Sequence, residues 1–325
     1  MKMLRDPLAD AAMRHWPALA VEAGLRASDW RSDPMARRED FRVARIVMRM
    51  RHKDGRQLVL KHEARPKRPE AFMQAMAAHL AAHDGYPDGV PELFTFDVRA
   101  QSCVMAMVDA EPLSVRLEPE GANHGAILRA VGAWAAGFHR SGLGEGRVFQ
   151  PKFTLDYLRR IVGELQRGER MVPEPEAFLR CAAYLCDRQA DFEGQHTVTA
   201  QTHGDLHMRN VLVGEGGVWG IDFAGGNVVP VGHDLARLLV DYATLRTRHA
   251  DIPAGEVLPP AASEAFFEGY TLVGPADPSV RLLLRHRVLA DWWGLPHMRS
   301  AAQERRWAGL KSLVARVFAD PLAAQ

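Results

Sequence analysis

The sequence predicts an α+β protein with two lobes, a small antiparallel β-rich lobe followed by a larger helical lobe. Up to about residue 110, short segments alternate apolar and polar residues, as half-buried strands do. Beyond that point, apolar residues recur mainly at helical spacing. The length of 325 residues suits two domains or one bilobal domain. We therefore expect a first lobe over residues 1–109 and a second over residues 110–325.

The elements of the first lobe follow from composition and turn residues. Residues 7–29 are rich in Ala and Leu, which favour a helix. Asp54-Gly55 is a hairpin turn signal between a segment with strand-like alternation and the apolar segment QLVLKHE, which returns as a second strand. Pro69 suits the first position of a helix. The predicted elements are a helix over residues 7–29, strands over 42–50 and 57–63, a helix over 70–83 and a buried strand over 102–108.

The second lobe is predicted to be helical, with one short β hairpin inset. The hairpin strands are residues 211–213 and 218–223, and the intervening GEGG is most simply a turn. The predicted helices cover residues 125–140, 154–168, 175–192, 233–247, 261–271, 279–292 and 301–318.

Composition and charge exclude several classes of function. Lys and Arg total 41 against 40 Asp and Glu, so a strongly basic nucleic-acid binder is not expected. The arginines between Arg37 and Arg56 alternate with apolar residues, which indicates the solvated face of a sheet. No apolar run approaches the ~20 residues that span a bilayer, and three cysteines do not make a disulfide framework. We expect a cytoplasmic protein, a monomer or weak dimer, with no nucleic-acid or membrane partner.

The segment HGDLHMRNVLVGEGGVWGIDF, residues 203–223, carries the candidate chemistry. Asp205 and Asn210 lie in a loop that enters a strand, and Asp222 comes at the end of the returning strand. A hairpin of this length would place Asn210 beside Asp222. An amide oxygen and a carboxylate are ligands that suit Mg²⁺, with phosphate oxygens completing its shell. Asp205 would then be free to accept a proton from a substrate hydroxyl.

A zinc site is the alternative for this segment, because His203, Asp205 and His207 alternate as ligands on one strand face would. That alternative leaves Asn210 and Asp222 unexplained. His207 remains open between support of the loop and contact with substrate.

The same segment resembles the catalytic segment of protein kinases, and more closely that of the aminoglycoside phosphotransferase and choline kinase-like family. That family has the pattern H-G-D-x-H-x-x-N, followed by I-D-F or I-D-W. The matching residues here are His203, Gly204, Asp205, His207, Asn210, Ile221, Asp222 and Phe223, with Phe138-His139 upstream and Gly232 and Asp234-Leu235-Ala236 downstream. The resemblance implies a bilobal protein kinase-like fold whose β-rich lobe binds nucleotide.

The resemblance also implies nucleotide-binding residues in the first lobe. Lys61, inside the strand LVLKHE, matches the family's phosphate-binding lysine. The family pairs that lysine with an acidic residue of the next helix, which here indicates Glu70, while Gln74 and Glu63 leave the partner open. Met107 and Asp109 bracket the predicted lobe connection, where backbone groups would bind the adenine edge.

Together these features predict an ATP- and Mg²⁺-dependent phosphotransferase that acts on a hydroxyl of a small molecule, such as a sugar, an amino alcohol or a related metabolite. The substrate helices show no acidic excess, which argues against a polycationic aminoglycoside. A nucleotide-binding scaffold without turnover is the alternative, because no glycine lies between Gly24 and Gly55 to form a phosphate-covering loop. A kinase that phosphorylates protein is disfavoured, since the stretch from Asp222 to Asp234 is too short for an activation segment.

Overall fold

A computed structural model of the chain describes residues 6–40, 43–65, 68–296 and 299–323. The helices are α1 (Pro7–Glu22), α2 (Pro69–Gly85), α3 (Leu113–Arg116), α4 (His124–Ser141), α5 (Pro151–Gln166), α6 (Pro175–Asp187), α7 (Gly232–Arg246), α8 (Pro260–Gly269), α9 (Pro278–Trp293), α10 (Ala301–Val317) and α11 (Ala319–Ala323). The strands are β1 (Trp30–Glu39), β2 (Ala44–His52), β3 (Gln57–Glu63), β4 (Leu93–Asp97), β5 (Ser102–Ala106), β6 (Glu111–Pro112), β7 (Arg147–Val148), β8 (His196–Thr197), β9 (Thr199–Gln201), β10 (Val211–Gly214), β11 (Gly217–Gly220) and β12 (Val228–Pro230).

The chain divides into two compact units. The first runs to residue 110 and also includes residues 214–225, while the second comprises residues 111–213 and those from 226 onward. The mixture of helices with an antiparallel sheet confirms the predicted α+β class. The assignment of residues 1–109 to nucleotide binding and of 110–325 to catalysis and substrate stays a prediction.

A five-stranded antiparallel sheet in the order β1-β2-β3-β5-β4 forms the centre of the first unit. Because successive strand residues point to opposite faces, β5 contributes side chains to the hydrophobic clusters on both faces of the sheet. Val104 joins the cluster around Trp16 of α1, whereas Cys103 and Met105 join the cluster around Phe72 of α2. The sheet is thus covered by α1 on one face and by α2 on the other.

The predicted helix over residues 7–29 is wrong beyond Glu22. Gly24 adopts a φ of +70°, a conformation that suits glycine and ends helices. The amide of Leu25 then donates to the carbonyl of Ala20 at 2.7 Å, which closes the end of α1.

β1 was not predicted, because its sequence lacks strand-like alternation. It is an edge strand with an irregularity between Pro34 and Ala36. Most of its side chains are exposed, so no buried face imposes an apolar pattern.

β4 was not predicted either, whereas the remaining predicted elements of the first unit agree with the structure to within a few residues. The predicted strand over 42–50 corresponds to β2, which runs from Ala44 to His52. Residue 42 lies outside the described residues. The predicted strand over 57–63 is β3, and the Asp54-Gly55 turn joins the two strands. The predicted buried strand over 102–108 ends at Ala106.

The second unit is built from packed helices and short strand pairs. The predicted helices are present with shifted ends, and the one over 175–192 stops at Asp187. The first residue of α7, Gly232, packs so closely on α9 that a Cβ atom there would lie 2.7 Å from the backbone of Ser279. Trp292 belongs to the core, because it is 1% exposed and its indole N–H donates to the Pro173 carbonyl. No helix in the described ranges has the length and apolar character needed to span a membrane.

Candidate active site

The loop over residues 202–210, between β9 and β10, carries two of the predicted site residues, Asp205 and Asn210. The Asn210 side-chain amide donates to the backbone carbonyl of Asp205 at 3.0 Å. This hydrogen bond fixes the orientation of the amide, so its oxygen is the atom that a divalent metal would take. Asn210 is only 5% exposed, so the surrounding protein holds its side chain in this orientation.

A buried carboxylate, Asp234, orders the start of this loop. Its oxygens accept from the backbone amides of His203 at 2.6 Å and Gly204 at 3.1 Å. The His139 Nε2 atom lies 3.2 Å from the same carboxylate, and its Nδ1 atom lies 2.8 Å from the Tyr270 hydroxyl. Burial would raise the pKa of Asp234, but the hydrogen bonds from His139 and the loop outweigh it and lower the pKa. Asp234 is therefore ionised at neutral pH and holds the backbone next to Asp205.

Replacing Asp234 with Asn is expected to lower the free energy of unfolding by about 2–3 kcal/mol, because the new NH₂ group faces an existing N–H donor. The depressed pKa stabilises the fold above the ordinary value of 3.8, and this contribution is lost as the pH falls through the folded pKa. Denaturant unfolding at pH 7 and near pH 3 checks both points. The exposed Asp251→Asn variant is the control, and an equal loss in both variants would contradict this role.

The Asp205 side chain is held in the second unit by a cation that the sequence did not single out. Arg237 of α7 places Nη2 2.5 Å from Asp205 Oδ1. His207 Nε2 lies 3.7 Å from the other carboxylate oxygen, and the ring accepts the Arg209 amide through Nδ1 at 3.2 Å. His207 therefore contributes to loop support, and burial lowers its pKa although the Asp205 charge opposes that shift.

In the first unit, Lys61 and Asp222 form an ion pair. Lys61 Nζ lies 2.6 Å from Asp222 Oδ1 and 3.8 Å from Glu63 Oε1. Arg45 Nη1 approaches the other oxygen of Asp222 at 3.3 Å. Burial alone would lower the pKa of Lys61, but the Asp222 charge overcomes it and raises the pKa above its ordinary value. Two cations thus meet one carboxylate at the predicted phosphate site.

Asp222 follows β11 in an irregular conformation. The sequence predicted a strand over residues 218–223 with Asp222 at its end. The strand ends at Gly220 instead, so Asp222 lies two residues beyond it. Asp222 has a φ of +63°, which is uncommon for a residue with a side chain and is typical of functional sites. The next residue, Phe223, is buried and packs edge-on against His79 of α2, with ring centroids 5.5 Å apart. This contact anchors the turn that carries the carboxylate.

Three other residues were predicted to contribute to nucleotide binding, and the described contacts do not assign them a role. Glu70 is exposed in the first turn of α2, and the carboxylates beside Lys61 are those of Asp222 and Glu63 instead. The family-based pairing of Glu70 with Lys61 therefore gains no support from the described contacts. Met107 is half-buried and Asp109 is exposed in the segment that follows β5. Their roles in binding adenine stay predictions.

Sequence reasoning missed Arg45 and Arg237 because neither has a local signature. Arg45 belongs to the arginine-rich sheet segment, and its neighbours Arg37 and Arg51 are exposed as predicted. The contact between Arg45 and Asp222 joins residues 177 positions apart. The importance of Asp234 did have a signal, the G-x-D-L-A segment, although the sequence did not disclose which donors it binds.

The donor set limits how a metal could bind. Among the residues that the structure describes, no group of three or more His, Cys, Asp or Glu side chains is placed to hold an ion. A zinc site of His203, Asp205 and His207 is therefore not formed there. One carboxylate and one amide oxygen would suit Mg²⁺, which usually retains water and takes further ligands from substrate phosphates.

Comparison with known proteins places the chain in a family. A sequence model of the phosphotransferase enzyme family, abbreviated APH, matches residues 39–283. No protein of curated function matches the chain in sequence.

Solved structures resemble the chain over nearly its whole length. A candidate fructosamine-3-kinase from Thermobifida fusca is 20% identical with a TM-score of 0.54, covering 97% of this chain and 99% of its own. A choline/ethanolamine kinase family protein from Mesorhizobium loti is 17% identical with a TM-score of 0.61, covering 98% of both chains. Amicoumacin kinase in complex with AMP-PNP and Ca²⁺ is 14% identical with a TM-score of 0.52, covering 91% and 90%.

At these identities the structural similarity establishes the fold, which is that of the protein kinase-like phosphotransferases. The family match extends over three quarters of the sequence and includes the loop of Asp205 and the turn of Asp222. The chain therefore belongs to the phosphotransferase enzyme family.

Proposed function

We propose that the protein transfers the γ-phosphate of ATP to a hydroxyl group of a small molecule, with Mg²⁺ as the divalent metal. The observation that carries the proposal is the ordered loop in which Asp234 fixes the backbone of His203 and Gly204. In the proposal, that arrangement would present the next side chain, Asp205, to the reacting groups. Family membership supports the reaction class, and the AMP-PNP and Ca²⁺ in amicoumacin kinase support ATP and a divalent metal.

Asp205 is proposed to act as the base. Its carboxylate accepts the proton of the acceptor hydroxyl while the acceptor oxygen forms a bond to the γ-phosphorus. The bond from that phosphorus to the oxygen bridging to the β-phosphate breaks, and ADP leaves with that oxygen. Because the transition state is loose, most of the catalysis comes from positioning and electrostatic stabilisation.

Lys61 and Arg45 are proposed to bind the nucleotide phosphates. Both cations already lie within 3.3 Å of Asp222 oxygens, so positive charge is concentrated there. Arg45 supplies a second cation in a chain that has no glycine-rich loop between Gly24 and Gly55. Met107 and Asp109 remain our proposal for the backbone contacts to adenine.

Asn210 and Asp222 are proposed as protein ligands of the metal, which would neutralise phosphate charge. The fixed amide of Asn210 and the carboxylate of Asp222 are hard oxygen donors that fit this ion. Asp222 would exchange part of its contact with Lys61 for the metal when nucleotide binds. In the same proposal the protein is a cytoplasmic monomer or weak dimer without nucleic-acid or membrane partners.

The proposal is tested with γ-³²P-labelled ATP, Mg²⁺ and a small-molecule extract; protein is removed by size, and the labelled small molecules are then resolved from ATP and inorganic phosphate by chromatography. We expect a new labelled small-molecule product that is distinct from ATP and phosphate, forms only with metal and is absent with the Asp205→Asn variant. Label in the protein fraction would favour a protein kinase. Binding of ATP with no transfer to any fraction would favour the nucleotide-binding scaffold.

A further inference from the structure

A cavity of about 550 Å³ in the second unit lies next to the loop over residues 202–210, which carries Asp205. Gly204 and Arg237, which flank or contact Asp205, form part of its wall. Phe153 and Tyr157 of α5 form another side, and Phe153 is 76% exposed. A cavity of this size accommodates a molecule as large as a monosaccharide, and the aromatic rings can pack on a carbon skeleton.

Two arginines give this cavity its charge. Arg237 contributes from α7 and Arg287 from α9, and both line the cavity. Arg287 Nη2 lies 2.5 Å from Asp291, and Asp291 is shared with Arg306 at 2.7 Å, which also pairs with Asp241. The side chains of Arg237 and Arg287 are 35% and 28% exposed, so guanidinium N–H groups outside these ion pairs remain accessible to a ligand.

The remaining polar groups of the cavity do not cancel this charge. Burial, with the nearby charges of His233 and Arg287, lowers the pKa of His286 to about 4, so its ring is neutral at pH 7. Burial also lowers the pKa of His233. The carboxylate of Asp234 is occupied by the loop amides and His139. The cavity thus presents guanidinium charge together with neutral rings that can bind hydroxyl groups.

The reaction itself increases the need for a negative group. Asp205 is the carboxylate in contact with Arg237. When Asp205 accepts the hydroxyl proton, its charge is neutralised and Arg237 loses that partner. A carboxylate or phosphate on the acceptor would restore the balance and form charge-assisted hydrogen bonds with both arginines.

We infer that the acceptor carries an anionic group, a carboxylate or a phosphate, which Arg237 and Arg287 bind while its hydroxyl faces Asp205. The inference rests on the proposed function, because it treats the cavity as the acceptor site. It selects a hydroxy acid or a phosphorylated polyol over neutral polyols and over cationic amino sugars.

The test compares compounds that share a skeleton and differ in charge, with binding to the full-length protein measured by calorimetry without nucleotide. Gluconate, sorbitol and glucamine carry a carboxylate, a hydroxyl and an ammonium group, while glucose 6-phosphate and glucose form the phosphate arm. We expect at least one anion to bind about tenfold or more tighter than its neutral counterpart. Comparison of gluconate with glucose 6-phosphate distinguishes the two anion classes.

Arg287→Met should abolish this preference, and Arg287→Lys should restore part of it. Arg281→Met is the matched control, because Arg281 lies on the same helix outside this cavity. Equal or tighter binding of glucamine, or no anion binding with a Kd below about 10 mM, would overturn the inference. The wild-type comparison decides the question even if a variant is unstable.

Turnover separates the inference from the proposed function. Phosphate transfer to sorbitol or glucamine in preference to the anions would leave the proposed function intact and overturn the inference. Anion binding that depends on Arg287, without phosphate transfer to any acceptor, would support the anion site and remove the proposed reaction.

Discussion

The Asp205→Asn variant is expected to lose about 10²–10⁴-fold in kcat, because the amide cannot accept the proton of the acceptor hydroxyl. Its affinity for ATP should stay within about threefold of wild type, since Lys61, Asp222 and Asn210 remain in place. Steady-state kinetics with a coupled assay for ADP gives kcat, and nucleotide titration gives the affinity. The neutral side chain also removes the ion pair with Arg237, so the unfolding midpoint is measured in parallel.

The control for this prediction is Asp251→Asn, which changes an exposed carboxylate in the same unit. That variant should retain wild-type turnover. A wild-type rate in Asp205→Asn would mean that another group, or no protein group, accepts the proton.

The Lys61→Met variant is expected to lower kcat/KM for ATP by about 10²–10³-fold, because it removes the cation that we propose stabilises phosphate charge. Lys61 is only 15% exposed and contacts both Asp222 and Glu63, so its loss also leaves two neighbouring carboxylates without that cation. Lys61→Arg should recover part of the activity, since the charge is kept while the geometry changes. Kinetics at varied ATP concentration, with acceptor held constant, measures the effect.

Lys53→Met is the matched control for Lys61, because Lys53 belongs to the same unit and is 69% exposed beside Asp29. Its kinetics should equal those of wild type. If Lys61→Met kept its ATP kinetics, Arg45 rather than Lys61 would be the main phosphate-binding cation of the first unit.

The sequence predicted the parts of this molecule that depend on local pattern. β3 matches QLVLKHE to the residue, because an apolar segment follows the Asp54-Gly55 turn directly. The loop of Asp205 and Asn210 was predicted from spacing, and its hydrogen bond spans five residues. Such contacts lie close in sequence, so a pattern of residue types can disclose them.

The sequence could not predict the contacts that join distant segments. Lys61 meets Asp222 across 161 positions, and His139 meets Tyr270 across 131. β1 escaped prediction because an exposed edge strand with Pro34 has no buried face to impose alternation. Phe223, the residue after Asp222, packs on His79, and no local pattern records this contact.

The measurement that tests the central claim most directly is thermal unfolding of wild type and of Asp222→Asn, each with and without ATP and Mg²⁺. Nucleotide at about 100 times its Kd adds roughly 2.7 kcal/mol, which should raise the wild-type midpoint by a few degrees. We expect this rise to require Mg²⁺, to disappear in Asp222→Asn and to persist in the control Asp33→Asn, which alters an exposed carboxylate. An unchanged wild-type midpoint at millimolar nucleotide, or an equal rise in Asp222→Asn, would contradict the account.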